Sequence, residues 1–135
     1  FKDSLGFYQT TTPLAIDLNG DGLDELVMSL NFQEIDENYQ KFFYNTLIAI
    51  EFKSKDIVTI ASTFEGNNLA STPWIGDLDD NGFIDILYSH STNLRHTYKF
   101  DGMKLRRIET QFPVYKPIKW GAYQGSNYDG IFRND

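Results

Sequence analysis

The chain has 135 residues, about one domain by length, and is long enough to bury roughly two thirds of its unfolded surface. Its net charge of −7 leaves no basic face for a phosphate backbone or an anionic lipid surface, which excludes nucleic acid as an expected partner. With no cysteine, disulfides, thiolate metal sites and a cysteine nucleophile are excluded, while eleven Phe, eight Tyr and two Trp argue for a packed core over disorder. No apolar run approaches the ~18 residues of a membrane span, so no membrane insertion is expected. The sequence begins Phe1-Lys2-Asp3, without a signal-peptide pattern. It is therefore expected to be a processed chain or a piece of a longer protein. The lack of any N-x-[ST] acceptor favours a bacterial over an animal extracellular source.

In chain order, a lead-in over 1–11 is followed by a strand near 13–16, an acidic loop, and a strand over 25–30. Residues 31–45, NFQEIDENYQKFFYN, come next. Ile35, Tyr39, Phe42 and Phe43 fall at helical spacing with Asn31 and Glu34 placed to cap, so a short helix and a long hairpin are both open. Strands at 46–52 and 57–63 flank the turn KSKD. Four more strands are expected at 73–76, 85–90, 94–100 and 104–111, the last two joined through Asp101-Gly102, a strong hairpin signal. The tail covers 112–135.

The two halves repeat. TPLAIDLNGDGLDELVMSL from Thr12 aligns with TPWIGDLDDNGFIDILYSH from Thr72 without a gap, at an offset of 60. Asp17 meets Asp77, Leu18 meets Leu78, Gly22 meets Gly82, Glu25 meets Asp85 and Leu26 meets Ile86. Four short antiparallel strands per 60-residue period describe an all-β fold of β-propeller blades. The expected division is a lead-in or end of a preceding blade (1–11), one blade (12–63, with the insertion 31–45), a second (64–111), and a tail or start of the next (112–135). Two blades cannot close a ring, so the chain is expected to be a segment of a larger propeller, with the rest of it or another chain at the open edges.

Each loop carries alternate oxygens. Counting from the first Asp, side-chain oxygens fall at positions 1, 3, 5 and 9: Asp17, Asn19, Asp21 and Glu25, then Asp77, Asp79, Asn81 and Asp85. Gly22 and Gly82 at position 6 allow a sharp turn, after which Leu23 and Phe83 can offer backbone carbonyls. Oxygen donors converging in this way suit a hard cation of high, flexible coordination number, hence two Ca²⁺ sites. Magnesium, with stricter octahedral geometry, fits less well. An Asp/Asn/Gly turn without an ion is the plainer alternative. An EF-hand and a dockerin repeat both need an acid at position 12 and a following helix. Met28 and Tyr88 stand there, in strand-like sequence.

DLNGDGLDELV and DLDDNGFIDIL resemble the calcium loops of FG-GAP/VCBS repeats, the blades of integrin α-subunit propellers and of many bacterial surface and secreted proteins. The family pattern D-x-D-x-D-G-x-x-D falls on Asp17, Asn19, Asp21, Gly22 and Glu25, and on Asp77, Asp79, Asn81, Gly82 and Asp85. The resemblance covers roughly residues 12–111. Glu25 replaces the usual Asp, and Gly121-Ala122-Tyr123 is the nearest echo of the motifs that name the family. The resemblance implies an extracellular, cell-surface or periplasmic calcium-binding module that engages a protein or glycan.

Catalysis has little support in the sequence. His90 and His96 would oppose each other if a turn centred on Asn93, but as exposed edge residues they need no catalytic role. Ser89 and Ser91 lack a nucleophile-elbow context, and no acid–base pair stands apart from the loops. Trp74, Trp120, Tyr115, Tyr123 and Tyr128 offer either a stacking platform for sugars, a protein hot spot, or packing between blades. A non-catalytic binding module is expected. The other class is a scaffold or accessory part of a secreted enzyme, such as a polysaccharide-degrading one, whose active site lies elsewhere.

Overall fold

A computed structural model of the chain describes residues 7–68 and 71–132; the start of the lead-in and the last three residues of the tail lie outside them. The described residues are all-β, in two antiparallel sheets. The first contains β1 (Phe7–Thr10), β2 (Leu14–Ile16), β3 (Glu25–Ile35), β4 (Lys41–Ile50), β5 (Ile57–Thr59) and β6 (Phe64–Glu65). Its path is β1-β3-β4-β5, with β2 also on β3 and β6 also on β4. The second has the order β7-β8-β9, from β7 (Trp74–Gly76), β8 (Phe83–Ser91) and β9 (Met103–Pro113). Phe64 and Glu65, expected to begin the second repeat, thus belong to the first sheet.

The insertion 31–45 is a hairpin, not a helix. β3 and β4 stay paired from Leu26↔Ile50 out to Ile35↔Lys41. Asp36 makes the turn: its Oδ1 accepts from the N–H groups of Asn38 and Gln40 at 2.9 and 2.8 Å, and Tyr39 takes the left-handed φ of 59°. A short aspartate that satisfies its own backbone this way outcompetes a helical turn.

The repeat holds at the level of register. β2 pairs β3 through Leu14↔Val27, Ala15↔Leu26 and Ile16↔Glu25. β7 pairs β8 through Trp74↔Leu87, Ile75↔Ile86 and Gly76↔Asp85, every pair displaced by 60.

Downstream the halves diverge, and the expected strand 94–100 does not form. Bonds at two adjacent residues exclude it. The buried side chain of Asn93 accepts at Oδ1 from the N–H groups of Arg95 and His96 (2.9 and 2.8 Å) and donates from Nδ2 to Asp101 (2.6 Å). The Leu94 carbonyl is taken by the N–H of Phe43, from the inserted hairpin, at 2.8 Å. The segment is folded out as a bend, Thr92 N–H reaches the Gly102 carbonyl at 3.0 Å, and β9 lies directly on β8 through Ser91↔Met103 to Asp85↔Glu109. Asp101-Gly102 therefore leads into β9 instead of closing a hairpin.

The two sheets share one core. From the first come Leu14, Ile16, Val27, Leu47 and Ala49, and from the second Ile75, Ile84, Ile86 and Tyr88. The inward residues of β3 are odd-numbered and those of β8 even-numbered. Because equivalent positions differ by 60, opposite faces of the two repeats meet. The repeats pack front to back, an arrangement a further copy can continue. At one end the core turns polar: Tyr88 Oη bonds Ser29 Oγ (3.2 Å) and donates to Asn45 Oδ1, while Asn31 and Asn68 bond each other reciprocally at 2.7 and 2.9 Å. Among the described residues no buried side-chain nitrogen or oxygen lacks a partner, as burial of polar groups demands. The tail ties the two short strands together, Trp120 carbonyl accepting from Ala15 N–H (3.1 Å) and Gly121 carbonyl from Ile75 N–H (2.6 Å). A Cβ on Gly121 would collide with the Ile75 carbonyl.

Candidate metal centre

The two acidic loops share three backbone hydrogen bonds. The position-1 aspartate accepts from the N–H at position 6, Gly22 to Asp17 at 3.0 Å and Gly82 to Asp77 at 2.8 Å. The position-5 side chain accepts from position 7, Leu23 to Asp21 at 2.9 Å and Phe83 to Asn81 at 2.8 Å. The buried position-9 acid accepts from position 2, Leu18 to Glu25 at 2.7 Å and Leu78 to Asp85 at 3.0 Å. Backbone conformation follows suit: Gly20 and Asp80 are both left-handed (φ 78° and 56°), as are Gly22 and Gly82 (88° and 84°). A non-glycine residue held in that region is uncommon, so Asp80 marks a conformation the loop requires. The side chains of Leu23 and Phe83 are exposed.

Electrostatically the loops differ. In the second, Asp77, Asp79 and Asp85 bring one carboxylate oxygen each to within 4.8 Å of one another. A guanidinium lies on two of them. Arg107 of β9 grips Asp85 with Nε to Oδ1 at 2.9 Å and Nη2 to Oδ2 at 3.0 Å, and reaches Asp79 Oδ2 at 2.6 Å. These bonds hold the Asp85 carboxyl below its ordinary range and the guanidinium above its own. Among the described residues no guanidinium enters the first loop. Asn19 donates to Glu25 Oε1 at 3.3 Å. Lys116 sits at the rim, 2.9 Å from Asp24, 3.0 Å from the Gly22 carbonyl and 3.9 Å from Asp17. Lys53 stands 3.7 Å from Asp21. Glu25 is pushed above its usual value by burial, against the opposing pull of the Leu18 N–H, and then by repulsion from Asp17, Asp21 and Glu51. Asp21, Glu25 and Glu51 line one cavity of about 210 Å³, and Asp17 borders another of about 340 Å³ beside Lys116.

The donor set fits a hard divalent cation: oxygens only, three carboxylates per loop, held by backbone N–H groups that leave lone pairs free. In the first loop Asn19 would have to turn its oxygen inward. In the second an ion would have to displace Arg107.

The other sequence candidates separate. His90 is buried, contrary to expectation, and does not face His96. It stacks on Phe64 (5.3 Å between centroids, 11° between planes) and accepts at Nε2 from Arg106 Nε at 2.9 Å. Arginine can only donate, so Nδ1 carries the proton and gives it to the Ser91 carbonyl at 3.0 Å. His96 is exposed against Tyr98. Of the five aromatic residues, Trp74 covers Gly76 and Trp120 packs on the core, while Tyr115, Tyr123 and Tyr128 are exposed. They do not form one platform. Sequence reasoning missed Arg107, because its role depends on which strand pairs β8.

No family model, curated protein or solved structure matches the chain.

Proposed function

We propose that this chain is a calcium-binding module of two tandem β-repeats, of the FG-GAP/VCBS type, cut from a larger propeller and serving non-catalytic recognition of a protein or glycan outside the cytoplasm. The observation that carries this reading is that the two loops share three backbone hydrogen bonds (6 to 1, 7 to 5 and 2 to 9), the left-handed turns at positions 4 and 6, and strand register, all at a displacement of 60 residues. Plain turns have no reason to reproduce a position-9 acid that is buried and aimed back at position 2. Front-to-back packing of the repeats supports membership of a longer array. It leaves the half-buried Leu26 and Met28 on one outer face and the exposed Leu105 on the other. Millimolar calcium outside cells fills even weak sites of this kind.

Equilibrium dialysis against ⁴⁵Ca²⁺ tests the ion. The chain should bind calcium, and Asp17→Ala should lose binding at the first loop. Retention of full binding by Asp17→Ala would remove these residues as ligands. A glycan array probed with and without chelator then tests recognition, with calcium-dependent binding the expected result.

A further inference from the structure

We propose that the cleft between the two sheets, where Arg106 and Lys104 meet β6, is a binding site for a singly charged carboxylate, of the kind carried by an acidic sugar or a small organic acid. The inference stands apart from the calcium loops and does not depend on them.

The cleft has a volume of about 250 Å³ and takes its walls from both repeats. Phe64 and Glu65 of β6 form one side, and His90, Lys104 and Arg106 of β8 and β9 the other. Register places the two cations there. The even-numbered residues of β9 face inward, Ile108 and Phe112 packing on the shared core. Arg106 and Lys104 continue that face, paired with Tyr88 and His90. The residues displaced by 60 from Tyr88 and His90, Met28 and Leu30, pair with Ile48 and Thr46. The repeat itself asks for no charge at these slots, so the cation pair is a feature of the second copy.

Arg106 is fixed in place without being neutralised. Its Nε donates to Nε2 of the buried His90 at 2.9 Å, and its Cζ sits 4.5 Å over the Phe64 ring. His90 is locked in turn, its Nδ1 proton on the Ser91 carbonyl at 3.0 Å and its ring stacked on Phe64. The bond to His90 uses one of the five guanidinium N–H groups. Among the described residues neither Arg106 nor Lys104 forms an ion pair, whereas the adjacent Arg107 spends its guanidinium on Asp85 and Asp79. An arginine held in this way keeps its fork for a planar carboxylate, which accepts two parallel N–H bonds. Its ordering cost is met before any ligand arrives. Thr63 and Thr92 add hydroxyls to the same walls.

The charge count sets the valence of the ligand. Burial first, and then Arg106, hold His90 below its ordinary pKa, so it stays neutral. Lys104 and Arg106 against Glu65 then leave one net positive charge in the cleft. One carboxylate balances it. A dianion would face Glu65, and a chain of net charge −7, with a charge uncompensated.

Two-dimensional ¹⁵N NMR of the whole chain tests this, with sodium acetate, sodium glucuronate and sodium sulfate titrated at an ionic strength held constant by sodium chloride. Both carboxylates should give saturable shifts centred on Phe64, Glu65, Thr92 and the Arg106 Nε–H. The tighter of the two identifies the source, simple acid or acidic sugar. Arg106→Gln, whose amide can still donate to His90, should weaken binding about tenfold or more. Lys104→Gln changes an exposed side chain and should weaken it about twofold, while Glu65→Gln should tighten it. No saturable shift at these residues, unchanged affinity in Arg106→Gln, or sulfate binding more tightly than both carboxylates would overturn the proposal. The calcium reading survives any of these results.

Discussion

Tyr88 and His90 show how single buried polar groups are held in this core. The Tyr88 hydroxyl sits between Ser29 and Asn45, one from each long strand of the first sheet, and burial pushes its pKa up to about 12. Tyr88→Phe keeps the ring but strips Asn45 Oδ1 of its donor. Leaving a buried acceptor unpaired costs roughly 1–3 kcal/mol, so urea denaturation should show a loss of that size. A neutral result would mean the network can close without the hydroxyl. His90 makes a different prediction. Its pKa lies below the ordinary 6.5, first through burial and then through Arg106 and Lys104. A folded value below the unfolded one means the unfolded chain binds the proton first. The stability His90 confers is complete above pH 6.5 and is lost as pH falls from there toward the depressed folded value. Denaturant midpoints measured from pH 7.5 to 5 should decline in the wild type, with the part due to His90 absent in His90→Gln.

At the scale of elements, the second repeat is where sequence and structure part. The loops and their flanking strands were legible because their signals are local: proline, alternating oxygens, glycine, then β-formers, repeated at an offset of 60. All-β character followed from the same patterns. The strand expected at 94–100 rested on RHTYKF and Asp101-Gly102, equally local, and lost to one local competitor and one distant one. Asn93 holds the N–H groups of Arg95 and His96 and the Asp101 carboxylate, and Leu94 is claimed by Phe43, fifty-one positions earlier in the chain. Once that strand is displaced, β9 pairs β8 and Arg107 arrives at the second loop. No window of sequence places a residue of one strand over a loop twenty or more residues away without the register. The bend itself is testable. Asn93→Ala removes both Asx bonds and the tether to Asp101, and should cost about 1–3 kcal/mol in chemical denaturation. Hydrogen exchange should quicken at Thr92, whose N–H is held by Gly102. Gly66 is a second fixed point, with a φ of 87° and the Ser91 carbonyl where a Cβ would stand. Gly66→Ala should destabilise by more than about 1 kcal/mol.

For the whole molecule, two sheets joined front to back through one core place both acidic loops at the mouths of equivalent strand junctions, β2 to β3 and β7 to β8. A cation at such a junction ties two strands that share only three register pairs each. The proposed ion should therefore act as a structural clip, and its binding energy should appear as folding energy. The most direct measurement is the melting temperature in chelator and again after calcium is restored. At a calcium concentration about 100 times Kd, the midpoint should rise by roughly 10 °C, and Asp17→Ala should lose part of that gain. An identical melt in chelator and in millimolar calcium would contradict the account, and would leave two well-made acidic turns balanced by Arg107 and Lys116.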